Sequence, residues 1–243
     1  RDARSAVTVL PDRLLNGGHA ARCAPMKTLR VFLSAASLGL TLLIGGCSSA
    51  YYGAMEKIGI AKRDILVDRV GDARESQQEA KEQFASALEK FIAVTKVEGG
   101  NLKAKYDQLN DDFKRSEARA LEVRERIAAV ADVSDALFSE WKKELSAYSD
   151  RSLREQSQRQ LDETRRRYDE LMRTMRSAAA RMDPILGKFR DQVLFLKHNL
   201  NAQAIAGLTS TASNLQGDVS RLIDDMEKSI READEFIRAM KTG

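Results

Sequence analysis

The chain has few of the residues from which most catalytic and metal sites are built. Its 243 residues include two histidines and two cysteines. Cys23 and Cys47 both lie before the long charged body, so an internal disulfide framework and a Cys-based metal cluster are excluded there. His198 is the one histidine beyond residue 47. It sits between Lys197 and Asn199 with no HExxH pair, and reads as a polar residue at a helix junction. No G-x-S-x-G occurs, and with one histidine no Ser-His-Asp triad is proposed. Gly99-Gly100 has no Walker or dinucleotide pattern around it and reads as a turn. The expectation is a protein that is not an enzyme and has no cofactor, no metal and no catalytic residue.

Proline is scarce too, and only Pro184 falls in the body. Aromatics make up 6% and charged residues 31%. No Val/Ile/Thr-rich alternating run suggests a strand, while Ala, Arg, Glu, Leu, Asp and Lys dominate. That is the profile of long helices. The length allows one domain or two.

A surplus of positive charge in the body is also missing. The pI is near 9.0, but residues 1–46 hold six basic and two acidic residues, which leaves 34 of each for residues 47–243. A neutral body has no general attraction for polyanions, so nucleic acid is not an expected partner.

What is present begins at Met26. Lys27 and Arg30 form a short positive start, followed by an uncharged, mostly apolar run from Val31 to Ile44. That run is shorter than the roughly 20 residues a membrane-spanning helix needs, and fits a secretory signal. It closes with Ile44-Gly45-Gly46-Cys47, which resembles the bacterial lipobox: an aliphatic residue, two small ones, then the thiol that accepts a diacylglyceryl group. Residues 26–46 are therefore expected to be a lipoprotein signal peptide and 47–243 the mature domain, lipidated on Cys47. The alternatives are an ordinary signal peptide with a coincidental cysteine, or a short buried apolar helix. Two or more acyl chains would hold the protein firmly, at ~0.8 kcal/mol per buried methylene. Ser48 stands where Asp would direct retention in the inner membrane. Its presence favours the periplasmic face of the outer membrane, the inner membrane being the alternative. Residues 1–25 contain Pro11, Gly17, Gly18 and Pro25 and show no periodicity. They read as a disordered upstream extension or a start-site error.

The body carries a 4,3,4,3 apolar rhythm in four stretches. The first runs Leu66, Val70, Ala73, Gln77, Ala80, Phe84, Ala87, Phe91, Val94. The second runs Leu102, Tyr106, Leu109, Phe113, Ser116, Ala120, Val123, Ile127, Val130 and continues to Tyr148. The third runs from Leu161 through Tyr168, Met175 and Met182 to Leu200, and the fourth from Ile205 to Met240. Ser152 and Glu155 have capping-box spacing and mark a helix start. Asp183-Pro184 predicts a kink or restart, and Gly207 and Gly217 predict that the last strong helix begins near Asp218. A narrow stripe needs a packed partner. The fold expected is therefore all-α, an elongated antiparallel bundle of three to four long helices with coiled-coil heptads; an open self-associating rod is the alternative.

The segments YYGAMEKIGIAKRDILVDRV (from Tyr51), AKEQFASALEKF and FLKHNLNAQAI resemble an uncharacterised family of bacterial lipoproteins, domain of unknown function 2959. The resemblance covers nearly all of 47–243. It implies a helical envelope protein with no assigned activity, and supplies no catalytic residue.

Three surfaces stand out. Arg165, Arg166, Arg167, Arg173, Arg176 and Arg181 form the most basic run, interleaved with Asp162, Glu163, Asp169 and Glu170. They read as a charged helix flank or as a contact for anionic envelope polymers or lipid head groups, where guanidinium suits phosphate. Lys62-Arg63-Asp64 with Asp68-Arg69 suggests local ion pairs on a solvated face. Tyr51 and Tyr52 suit either a membrane interface or a core contact. The expected role is an envelope scaffold, spacer or adaptor, tethered to the membrane by lipid and binding an envelope protein or anionic polymer, with self-association left open. The alternative is a carrier or sensor holding an apolar ligand near Met172, Met175, Met182 and Phe189.

Overall fold

The computed structural model describes residues 51, 52, 55, 61–96, 101–199 and 202–242. Cys47, the expected signal peptide, Gly99-Gly100 and Leu200 lie outside the described residues. Among the described residues there is no strand. Four long helices carry the chain: α1 (Lys62–Thr95), α2 (Leu102–Glu144), α3 (Arg151–His198) and α4 (Ala202–Thr242). A 3₁₀ turn, Leu145–Ala147, joins α2 to α3.

Local chemistry explains where two of these helices start. The Asn101 side chain accepts a bond from the Ala104 amide at 3.1 Å and caps α2. Asp150 caps α3 by accepting from the amides of Ser152 at 2.7 Å and Leu153 at 3.2 Å. The expected capping box at Ser152 is therefore displaced by two residues, and Glu155 pairs with Arg151 at 2.8 Å instead. A carboxylate at the cap satisfies two free amides and complements the positive end of the helix dipole.

Two expected restarts are absent. α3 runs unbroken through Pro184, although proline removes an amide bond and crowds the carbonyl four residues back. Met182 and Ile185 on either side are buried, and Asp183 is tied to Arg124 of α2 at 2.9 Å. Tertiary contacts thus hold the helix across the defect. α4 likewise passes through Gly207 and Gly217 in one piece. Each glycine costs a helix roughly 1 kcal/mol relative to alanine, and burial of Leu208, Leu215 and Val219 along the same helix exceeds that cost.

The helices form a closed ring in which α1 touches α2, α2 touches α3, α3 touches α4 and α4 returns to α1. Every neighbour is antiparallel. Lys62 of α1 meets Glu140 of α2 at 3.0 Å, while Lys90 meets Asp112 at 2.9 Å. Trp141 and Arg124 of α2 meet Ser157 and Asp183 of α3. Lys188 meets Asp218, and Arg181 meets Asp225, between α3 and α4. Arg74 pairs with Asp234 at 2.6 Å, and Lys81 with Glu227 at 3.4 Å, between α1 and α4. The described residues form one compact unit, and the four helices bury a single apolar core among themselves.

That core follows the apolar rhythm. All nine positions of the first stretch, Leu66 to Val94, are buried. Phe91 of α1 meets Phe189 of α3 edge-on across the ring, with centroids 5.7 Å apart. Phe138 of α2 and Tyr168 of α3 do the same at 5.3 Å. Several polar side chains interrupt the apolar interior, and Gln77 and Asp112 each keep one buried polar atom without a hydrogen-bond partner among the described residues. Gln77, fully buried, accepts a bond from Ser229 of α4 at 2.8 Å, while its amide nitrogen has no partner among the described residues. Asp112, 1% exposed, takes Lys90 and Arg115 on one carboxylate oxygen and leaves the other buried and unpaired.

A buried acceptor that loses its donor costs about 1–3 kcal/mol, whereas removing both partners together is close to neutral. Ser229→Ala is therefore expected to lower unfolding free energy by about 1–3 kcal/mol. The double variant Gln77→Met/Ser229→Ala should recover most of it. Urea unfolding followed by circular dichroism checks this, and a double variant weaker than Ser229→Ala would refute it.

Candidate interaction surface

Tyr51 and Tyr52, the first described residues after Cys47, meet the bundle through Tyr52. Tyr52 is 5% exposed and donates its hydroxyl proton to Asp132 of α2 at 2.6 Å. Tyr51 leans on it edge-on at 5.3 Å and stays 42% exposed. Tyr52 is thus the core contact, and only Tyr51 keeps a face to solvent. Burial first, and then the bond to the Asp132 carboxylate, push the Tyr52 phenol well above its usual range.

The charges at the start of α1 turn away from one another. Lys62 is buried and reaches Glu140 on α2. Arg63 donates to the Met240 carbonyl near the end of α4, and Arg69 pairs with Asp72 at 3.3 Å. The expected pairing among Arg63, Asp64, Asp68 and Arg69 is replaced by cross-helix and i,i+3 contacts. Asp64 and Asp68 instead line an open recess of about 530 Å³ with Arg63, Met240 and Thr242. Free carbonyls at the end of α4 attract a guanidinium more strongly than a solvated neighbour does.

The arginine run does not form one continuous basic face. Arg165 stacks over the Phe138 ring of α2, 5.9 Å from its centroid. Arg176 acts on the Tyr168 phenol, on the same side of α3. Arg166 and Arg167 face α4, where they line a recess of about 340 Å³ with Glu170, Glu232, Glu235 and Phe236. Arg167 pairs with Glu163, Arg173 with Glu170 and Arg181 with Asp225. The Arg173 bond holds the Glu170 carboxyl below its usual range. At 100° per residue the run spreads around the helix. Much of its charge is met locally by carboxylates.

Met172, Met175, Met182 and Phe189 are buried in the core, and none of these recesses is lined by them. His198 is exposed in the last turn of α3, where a polar or cationic side chain suits the helix dipole. Among the described residues no three His, Cys, Asp or Glu side chains converge as a metal group would require.

Sequence reasoning placed the α2–α3 turn between Tyr148 and Ser152 but gave that region no role. Trp141 donates its indole proton to Ser157 at 2.8 Å, and Leu145 and Leu161 are buried beside this contact. Beyond it the helices emerge from the bundle: Tyr148 is 40% exposed and Leu153 is 51% exposed. The signal was the second stripe, which reached Tyr148 without a facing stripe on α1 at that level.

The profile of a family described as a protein of unknown function (DUF2959) matches residues 51–240. The chain belongs to this family. The DUF2959 match opens at the Tyr51-Tyr52 pair and closes at Met240, whose carbonyl receives Arg63. It takes in nearly all of the helical ring and leaves the Ile44–Cys47 motif outside. No curated protein and no solved structure matches the chain.

A phenol whose folded pKa is raised adds stability that is complete below its unfolded value near 10, and that is lost as pH rises towards the folded value. Unfolding free energy should therefore fall as pH rises above about 10. It should fall less steeply in Tyr52→Phe, which at pH 7 should be about 1–3 kcal/mol less stable. Urea titrations at several pH values measure both, and an equal slope in the two proteins would contradict the role given to Tyr52.

Proposed function

We propose that this DUF2959 protein is a lipid-anchored lipoprotein of the bacterial envelope that works by binding, as a scaffold, spacer or adaptor. The carrying observation is the position of Cys47. A lipobox-like Ile-Gly-Gly-Cys closes a positive start and a 14-residue apolar run from Val31 to Ile44, and the first described residue of the bundle, Tyr51, follows the cysteine by four positions. Cleavage before the cysteine would leave every described residue in the released body. Acylation of the thiol would then attach that body to a bilayer. No described helix is long and apolar enough to cross a membrane, so in this reading attachment falls to the lipid. Ser48 favours the periplasmic face of the outer membrane, with the inner membrane as the alternative destination.

A binding role suits the rest of the molecule. The long helices bury their apolar stripes inward and present mixed charge outward, much of it paired across the helix seams in a coiled-coil manner. A helix of 48 residues, as in α3, is about 72 Å long, which offers extended surface for a protein or polymer partner.

Replacing Cys47 with Ala is expected to move the protein from the membrane to the soluble fraction and to abolish labelling by a fatty-acid analogue. Retention of the Cys47→Ala protein in the membrane fraction, or an unmodified thiol by mass spectrometry of the native protein, would overturn the proposal.

A further inference from the structure

α3 begins well outside the ring. The end of α4 and the start of α1 meet it at a shared recess of about 290 Å³, lined by Gln160, Thr164, Met240 and Arg63 among others. From Arg151 to Arg159 only Ser157 is buried. Roughly 13 Å of α3, with the end of α2 beside it, thus projects past the other two helices as a two-helix tip. The tip is braced at its base by the Trp141–Ser157 bond and by buried Leu145 and Leu161.

The chemistry of the tip differs from that of the neutral body. Residues 142–159 hold five basic and three acidic residues. Asp150 is occupied in capping α3, and Glu155 is paired with Arg151. Lys142, Lys143, Arg154 and Arg159 have no carboxylate partner within salt-bridge distance among the described residues. Tyr148 and Leu153 stand exposed among them. Unpaired cations around an exposed tyrosine and leucine on a convex end match a head-group surface: anionic phosphates outside, an apolar layer just beneath. A groove-binding peptide would need a concave apolar seat, which this tip is not.

We propose that the α2–α3 tip is a second membrane contact, docking on anionic phospholipid head groups of the bilayer that holds the Cys47 lipid. The proposal rests on the anchor reading for its geometry. Tyr52 is fastened to Asp132, and Cys47 lies five residues earlier, at most ~18 Å of extended chain. Asp132 is itself roughly 20 Å along α2 from the tip. A lipid on Cys47 and the tip can therefore touch one bilayer when the bundle leans towards it. Two contacts would set the orientation of the body, where one tether would leave it free to swing.

The test uses residues 48–243, the compact unit without cysteine or lipid, in co-sedimentation with vesicles of phosphatidylglycerol and phosphatidylethanolamine or of phosphatidylcholine. Binding is expected to the first, weakening with salt, and not to the second. The variant K142E/K143E/R154E/R159E should bind roughly 100-fold more weakly with an unchanged helical spectrum. Y148S/L153S should weaken binding and reduce its salt-resistant part. K103E/K197E, at the opposite end of the bundle, should bind as the parent does. Equal binding by the parent and the charge-reversed tip, or none to anionic vesicles at low salt, would overturn the proposal. So would a dimer, seen by light scattering, that the tip variants abolish while no vesicle binding occurs. Because the probe carries no lipid, an unmodified Cys47 in cells would defeat the anchor reading and leave this result standing. A lipidated Cys47 with no vesicle binding would defeat the tip alone.

Discussion

The structure depends on one constraint: each helix carries a single apolar stripe, and such a stripe must be covered from two sides. A lone helix of this charged composition would leave Leu66, Phe84 and Phe91, or Leu171, Met175 and Met182, in water. Burying a side chain of this size contributes about 1.5–3 kcal/mol, far more than helix propensity differences. Four stripes closed in an antiparallel ring meet the requirement without a strand among the described residues. The same logic explains the unbroken passage through Pro184. The local cost of about 3 kcal/mol is offset by neighbours such as Met182, Ile185 and Phe189 on the same seam.

Outside the stripes, charge acts mainly through placement. Exposed ion pairs such as Arg119–Glu79 and Arg126–Asp72 lie across the α1–α2 seam and contribute at most tenths of a kcal/mol to about 1 kcal/mol each. They give the seams a preferred partner and register more than they stabilise them. The consequential polar contacts are those with a buried partner. Buried Tyr52 donates to Asp132 on the exposed flank of α2, and Gln77 with Ser229 ties α1 to α4 inside the core. Both link residues distant in sequence, so both select one arrangement of the ring over its alternatives.

Much of the fold was legible from spacing. The positions of the first stripe are buried without exception, and those from Leu109 to Val130 and from Tyr168 to Leu196 nearly match the core. Even Gln77 and Ser116 fell on the stripe despite their polarity, and both are buried. Misread positions were those where two local preferences competed. Asp150 and Ser152 both suit a cap; the carboxylate prevailed. Gly217 and Pro184 both weaken a helix, yet neither ends one here. The arginine run looked like a surface because its residues are adjacent in sequence, but adjacent residues diverge by 100° on a helix. Arg165 therefore reaches α2 while Arg167 reaches α4.

By itself the sequence determined that the body is helical, which face of each helix is apolar, and that its positive excess lies before Cys47. These follow from composition and from i, i+3, i+4 spacing, which are local. Only the tertiary structure decided that the four long helices of the described residues close into one ring, that Tyr52 belongs to Asp132, and that α2 and α3 outrun their neighbours. Stripe patterns of this kind are nearly interchangeable, so pairing among them is set by length, seam charge and a few buried polar contacts. Those act between residues far apart along the chain, and no local pattern records them.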